Sequence, residues 1–413
     1  MQALAPRVAS ARVRTVLFVG AGRHQRQAIL RARELGLRVA AVDGDPKAPG
    51  LGEADIPLVA DFRDVEAVLA FARRVRPHGV LTVSADRAVP VVAVAEALGL
   101  PGIGVDTARR LTHKVEMRRT LAAAGIPQPA FGPARTLEEA RAALAQVGVP
   151  AVLKPADSGG QRGLFRLGSV ADLDASFPAA LAESPTGQAI VEELVPGTEM
   201  NGIAIARRGA VSTLTLSDRL RPPGRGFGVG WIHLYPASLS QERLRLAEEI
   251  VAEAVRALGL RDGIAFPQLI AGEDGGLRVV EVAARIPGGQ MADLVRHAVG
   301  VDLTEIALRQ ALGEPVPDEL CRPRFRRALA IRFLTASPGP LPVGKVRAVR
   351  GLERALAQPG VVQAESYMTV GETIRPVRLD GDRRGYVIAV GESREEALAR
   401  AEAATALIEV EVE

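Results

Sequence analysis

Residues 263–290, GIAFPQLIAGEDGGLRVVEVAARIPGGQ, hold an amide, a carboxylate and a guanidinium at spacings that let them act together. Two apolar runs of β-type, 263–271 and 277–284, flank Glu273-Asp274-Gly275-Gly276. Asp-Gly between such runs signals a tight hairpin. With Asp274-Gly275 as a two-residue loop, Glu273 faces Gly276, and counting back along both strands places Gln268 directly across from Glu281. Side chains alternate faces along a strand, so Ala283 and Arg285 share the face of Glu281. Directly opposed Cβ atoms lie about 4.5–5.5 Å apart. At that separation an amide oxygen and a carboxylate can share a small hard cation, and Arg285 can meet an anion that the cation brings. A half-exposed hairpin with ordinary polar residues on its solvated face shows much of the same pattern. This one differs in having its acid inside the apolar run VVEVAA, followed by Arg and Pro-Gly-Gly.

Positive charge elsewhere is unevenly chosen. Of 52 Lys and Arg residues only Lys47, Lys114, Lys154 and Lys345 are lysines. Where any cation serves, the chain uses arginine, so a retained lysine points to a task needing a compact, rotatable ammonium. Lys114 falls in a helix expected over 106–124, closed by Gly125 and the Pro127/Pro129 pair. Lys154 ends a strand expected at 150–154 and leads into Pro155-Ala156-Asp157-Ser158-Gly159-Gly160-Gln161-Arg162-Gly163. The glycines of that connection let backbone N–H groups turn inward around an anion, although a flexible hairpin loop reads the same way. No GxxxxGK[ST] occurs, so the loop is not a P-loop. A further strand, 188–193, runs into Leu194-Val195-Pro196-Gly197-Thr198-Glu199. Pro196 has no amide donor and ends regular pairing. Backbone groups just before it can meet a flat heterocycle, with Glu192 and Glu199 in reach of an exocyclic amine or hydroxyls. Acids beside a turn are, by themselves, more often merely solvated.

The elements that must carry these residues alternate between helix and strand. A buried-type strand at 13–19, the turn Gly20-Ala21-Gly22, a helix to about 35 and a strand at 37–42 ending in Asp43 imitate a dinucleotide fingerprint. Gln25 stands where the third glycine belongs, and Asp43 can equally cap the strand end. The pattern continues to 105 as one open, mostly parallel sheet. Thr136 and Glu139 open a helix with a capping box, and 240–258 is an amphipathic helix. After the proline-bearing segment 315–323, runs at 327–334 and 385–390 and a helix from Ser393 read as a small α+β module.

Composition bounds the function. A chain of 413 residues with 47% apolar content is a multidomain α/β protein. The lone Cys321 excludes an internal disulfide framework and any cysteine-built metal site. A net charge of +4 without basic blocks or aromatic–basic stripes argues against nucleic acid. No apolar run reaches membrane-spanning length, and the basic, alanine-rich residues 1–14 lack the apolar centre of a secretory signal. A cytoplasmic protein is expected.

Taken together, the segments HKVEMRRTLAAAGIPQP, VLKPADSGGQRG, VEELVPGTE and the hairpin resemble, in order, the phosphate-handling parts of an ATP-grasp enzyme over about residues 13–312. The resemblance implies an α/β fold with an N-terminal open parallel sheet, a two-lobed ATP-grasp core and a small C-terminal α+β module. It divides the chain into a tail (1–12), an N-terminal domain (13–112), the ATP-grasp domain (113–314, with a lid at about 126–190), a linker (315–324) and the C-terminal domain (325–413). It implies ATP and magnesium, or manganese, as cofactors. Lys114, Lys154, Ser158, Gly159, Gly160 and Gly163 would hold phosphates. Glu192 and the backbone at Glu193, Leu194 and Val195 would hold adenine, and Glu199 the ribose. Gln268 and Glu281 would be metal ligands, and Lys154 and Arg285 catalytic. Two features depart from the family. Gln268 stands where many members carry Glu, although the carbamoyl-phosphate synthetase branch resembles this chain in having Gln there, and Ala283 replaces the Asn of Glu-x-Asn.

Within the family, RIPGGQMADLVRHAVGVDL and the C-terminal module look most like carboxylate–amine ligases that join amino acids through an acyl phosphate, releasing ADP and phosphate. The expected partners are a small carboxylate and an amine, with a homodimer implied and neither nucleic acid nor membrane. Arg225, His233, Gly288, Gly289 and Gln290 are the substrate candidates, although a histidine in a strand, as His233 is, more often has a structural role. The alternatives are a bicarbonate-activating carboxylase of the purine-pathway type and, because of Ala283, an inactive ATP-binding protein.

Overall fold

The computed structural model describes residues 13–84, 88–221 and 228–413. The tail expected at 1–12 lies outside them. The chain forms two compact units, one of residues 1–102 and 304–316, the other of 103–303 and 317–413.

In the first unit, strands Ile56–Val59, Arg38–Asp43, Thr15–Val19 and Gly79–Leu81 lie side by side in that order, all parallel. Thr15–Val19 is buried along its whole length, as a parallel strand covered on both faces must be. Helix Val65–Val75 starts on Asp64, whose carboxylate accepts the Ala67 N–H at 3.0 Å. The glycine turn satisfies itself. The Asp43 carboxylate accepts N–H groups of Ala21 at 2.7 Å and Asp45 at 2.9 Å, while the buried Gln25 amide donates to the Val83 carbonyl. The Gln25 side chain fills the space above Gly20, so the acid that imitates a dinucleotide site and the amide that replaces its third glycine are both used in closing the loop.

The second unit is built on an eight-stranded antiparallel sheet. Its order is Leu277–Ala283, Gly263–Gly272, Gly197–Arg207, Ala210–Leu220, Ile232–Tyr235, Ala328–Phe333, Gly385–Gly391, Val361–Ser366. The strands expected in a separate C-terminal module therefore complete the same sheet as the hairpin. Alternation sorts its residues: Met200, Ala204, Ala265, Leu269, Val279 and Val282 pack with helix Gln241–Ala257 in one core, which turns Asn201, Gln268 and Glu281 to the other face. A smaller antiparallel sheet, in the order Phe131–Ala134, Ala189–Glu193, Ala151–Pro155, Phe165–Leu167, shares its core with helices Leu137–Val147 and Val170–Ala182. Thr136 caps the first of these helices, its hydroxyl accepting the Glu139 N–H at 3.2 Å. Strands Thr373–Ile374, Gly344–Arg350 and Glu409–Val412 make a third sheet, and helix Arg394–Thr405 starts on Ser393. Among the described residues no helix is long and apolar enough to cross a membrane.

One expected helix is two. Residues 106–124 fold as Val105–Arg110 and Lys114–Ala123. Between them Thr112 turns its hydroxyl back onto the Ala108 carbonyl at 2.8 Å, and His113 caps the second helix by accepting the Glu116 N–H at 3.4 Å. The break starts the second helix at Lys114, whose own N–H donates to Ala156 at 2.6 Å.

Candidate active site

The hairpin places Gln268 opposite Glu281, but the route there differs from the two-residue loop expected. Gly272 donates to the Gly276 carbonyl at 2.8 Å, so the loop is Glu273-Asp274-Gly275. The Asp274 carboxylate selects it by accepting the Gly276 N–H at 3.0 Å and pairing with Arg278, and Gly275 takes the left-handed φ of +83° that such loops need. The longer loop shifts the ladder to Ala271–Leu277, Ile270–Arg278 and Leu269–Val279. A bulge at Val280 then shifts it back, and Gln268 meets Glu281.

Asn201 is Gln268's neighbour on its other side, so Glu281, Gln268 and Asn201 form one row across three strands. Gln268 and Glu281 are half-buried. Asn201 is 2% exposed, and its Oδ1 has no hydrogen-bond partner among the described residues. A carboxylate beside amide side chains fits a hard divalent ion that keeps several waters. No cluster of three or more His, Cys, Asp or Glu side chains suited to a metal occurs among the described residues. Ala283, where the family's second ligand would stand, is buried. Arg285 follows the strand and is half-buried.

The lysines converge on the smaller sheet. Lys154 Nζ lies 2.5 Å from Glu192 Oε2, and Lys114 Nζ donates to the Ser158 carbonyl at 2.7 Å. Glu192 is also gripped by Arg118, Nε to Oε1 at 2.9 Å and Nη2 to Oε2 at 3.1 Å. Burial raises the Glu192 carboxyl pKa, but Arg118 and Lys154 outweigh it and hold it at about 2. Burial pulls Lys154 below the ordinary lysine value, and the charge of Glu192 at contact distance opposes that shift. In the glycine loop Gly160 and Gly163 have φ of +68° and +66°. Ser158 and Gly159 precede them, and Gln161 donates to the Gly228 carbonyl.

The segment expected at adenine is already well bonded. The N–H of Glu193 donates to Ala130 at 2.9 Å and that of Leu194 to Pro150 at 3.2 Å, while Val195 is buried. Both oxygens of Glu199 are taken, one by Arg219 at 2.6 Å and one by Arg221.

Of the substrate candidates, Arg225 lies outside the described residues. His233 and the 288–290 turn come together: a Cβ on Gly289 would lie 3.2 Å from His233 Nε2. His233 is 3% exposed, stands edge-on to Phe333 at 5.4 Å and faces Asn201 Nδ2 through Nδ1 at 3.3 Å. Burial, followed by the nearby Arg383 and Arg219 charges, lowers its pKa well below the usual value and keeps the ring neutral. Gln290 has a φ of +58° and donates to Asp293 at 3.1 Å. Arg383, stacked on Phe333 at 4.0 Å, also borders the Gly289 turn.

Sequence reasoning missed Arg118, Asn201, Arg219 and Arg383. Arg118 had a signal, since it lies one turn after Lys114 on the same helix. The others sit on strands or loops where nothing local marks them.

The large antiparallel sheet thus carries a row of side-chain oxygens, and the smaller sheet carries the buried ion pair of Lys154 with Glu192. The family described as carbamoyl-phosphate synthase L chain, ATP binding domain, matches residues 113–319, and L-amino acid ligase C-terminal domain 2 matches residues 333–413. The chain belongs to the ATP-grasp ligases, ADP-forming enzymes that make C–N bonds. It is 30% identical over 328 residues to the uncharacterized protein y4rH of Sinorhizobium fredii, a match covering 77% of this chain and 65% of that one. It is 29% identical over 402 residues to a formate-dependent phosphoribosylglycinamide formyltransferase of Burkholderia mallei, covering 95% and 94% of the two chains. In fold it resembles the L-amino acid ligase of Bacillus licheniformis, with a TM-score of 0.83 at 23% identity over 98% of this chain and all of that one.

Proposed function

We propose that the enzyme activates a small carboxylate with ATP and joins it to an amine, making an amide or dipeptide bond and releasing ADP and phosphate. The observation that carries this reading is the pairing of Gln268 with Glu281 on the face turned away from the core. That row is tied to Lys154, because Arg118 holds Glu192 and also the carbonyl of Val280, the residue before Glu281. The match of residues 333–413 to the L-amino acid ligase C-terminal domain supports amino acids as the substrate class.

A carboxylate resists amine attack, and phosphorylation gives it a good leaving group. In this reading Lys114, Lys154 and the loop 158–163 hold the phosphates of ATP, and Arg285 steadies the anionic acyl phosphate. Glu281 and Gln268 would hold a magnesium ion, which would supply charge neutralisation at the transferring phosphoryl group. Glu192 serves by keeping Lys154 in place, since both its oxygens are engaged. The small sheet with its glycine loop acts as a lid that keeps water from the acyl phosphate. Neutral His233, the Gly288–Gln290 turn and Arg383 border the substrate side. The proposed protein is a cytoplasmic homodimer working on small molecules, without nucleic acid or membrane.

An ADP-release screen crossing carboxylates against amines tests the reading. Release that needs both supports it, and production of AMP and pyrophosphate overturns it. The formyltransferase relative favours a second reading, in which formate or bicarbonate with a phosphoribosyl amine suffices for turnover. Tight ATP binding with no turnover across the panel would instead mark an inactive protein, the outcome that Ala283 leaves open.

A further inference from the structure

We infer that Arg118 is a positioning residue that sets the register of the hairpin and thereby presents Glu281 to the cation. The inference rests on reading Gln268 and Glu281 as the cation site. Arg118 is 1% exposed, and its guanidinium places all five N–H groups. Nε and Nη2 fork onto Glu192. Nη2 also donates to the Val280 carbonyl at 2.6 Å, and Nη1 donates to the Val279 carbonyl at 2.9 Å and the Gln128 amide oxygen at 3.4 Å. In a regular strand consecutive carbonyls point to opposite edges. Here those of Val279 and Val280 point to one guanidinium, as the bulge requires.

The bulge decides what the site contains. Leu277–Ala283 is the edge strand of its sheet, held by a ladder on one side only. Continued without the bulge, the register Leu269–Val279 would set Val280 across from Gln268 and turn Glu281 towards the core that holds Val279 and Val282. On the outer edge, Val279 N–H donates to Pro127 at 2.8 Å and Val282 N–H to the Met117 sulfur at 3.4 Å. Neither contact fixes Val280. Arg118 does so, and the same side chain holds the partner of Lys154, so one guanidinium keeps the nucleotide lysine and the cation carboxylate in common alignment. A lysine would keep the charge beside Glu192 but lacks the fork.

The test compares the full-length wild type, Arg118→Lys, a deletion of Val280, and the two changes combined. The deletion joins Leu269–Val279 to Gln268–Glu281 in an unbroken ladder, so it removes the need for the clamp. Mn2+ titration in the presence of ADP, read by electron paramagnetic resonance, is expected to show Arg118→Lys binding about 10-fold more weakly, with a penalty under about 3-fold once Val280 is deleted. Hydrogen exchange without metal or nucleotide is expected to quicken across 277–283 in Arg118→Lys, and not when Val280 is also deleted. Unchanged exchange and Mn2+ binding in Arg118→Lys, or a penalty undiminished by the deletion, overturns the inference. If the wild type adds nothing to Mn2+ binding by ADP while exchange behaves as expected, the cation reading fails and the register clamp stands.

Discussion

Gln268 faces Glu281 because Val280 is an extra residue between two ladder pairs, Leu269–Val279 and Gln268–Glu281. A three-residue turn and a bulge, each a one-residue shift, cancel. The pair then sits beside Asn201 on a face that the packed core leaves to polar groups.

If that pair seats the cation, removing its one charge removes most of the activity. Glu281→Gln is expected to lower ADP release at least about 100-fold, with thermal stability nearly unchanged because the side chain is half-buried. Gln268→Glu adds a second carboxylate and is expected to lower the magnesium concentration needed for half-maximal rate. Steady-state rates against magnesium concentration check both, and a Glu281→Gln enzyme with wild-type turnover would remove the cation from this site.

The buried Glu192 makes stability pH-dependent on the acid side. Its carboxyl is held at about 2, against an ordinary value of 4.5. A depressed carboxyl pKa gives stability that is fully present above 4.5 and is lost as pH falls from there towards 2, amounting to about 3 kcal/mol. Denaturant unfolding between pH 5 and 2, compared with Glu192→Gln, is expected to show the wild type losing more stability across that window. Parallel curves for the two proteins would contradict the assignment.

The turn depends on Gly275 for its backbone alone. Nothing lies within 4 Å of a Cβ placed there, but φ is +83°. Gly275→Ala is expected to lower stability by about 1–2 kcal/mol through left-handed strain, seen as a lower Tm. Replacement by Asn, which tolerates that conformation, is expected to recover part of it.

Gly289 separates substrate effects from nucleotide effects. A methyl group there has a left-handed φ of +68° to adopt and His233 Nε2 at 3.2 Å to displace. Gly289→Ala is expected to raise KM for the carboxylate or amine about 10-fold while leaving KM for ATP within about 2-fold, the size of one misplaced contact in a substrate pocket. Equal effects on both constants would detach this turn from the substrate.

Much of the molecule was legible from local pattern. The Asp-Gly turn, the period-two alternation and the glycine loop after Lys154 each lie within a few residues, where backbone preferences act. The pairing of Gln268 with Glu281 was also anticipated, but by a count that held only because the turn and the bulge offset one another. The break at His113 was missed because a helical pattern runs through it, and only the cap geometry shows the interruption. Arg118 carried a positional signal, one turn after Lys114, but no compositional one, since it is one arginine among many.

The sequence by itself determined which chemical groups are available and in what order the phosphate-handling segments follow. These follow from residue type and short-range periodicity. Only the tertiary structure decided which of the acids are exposed to a ligand and which are already engaged. Glu192 meets Arg118 across 74 residues, and Glu199 meets Arg219 from the neighbouring strand. Such pairings arise when distant segments pack, and desolvation then compels each buried charge to take a partner.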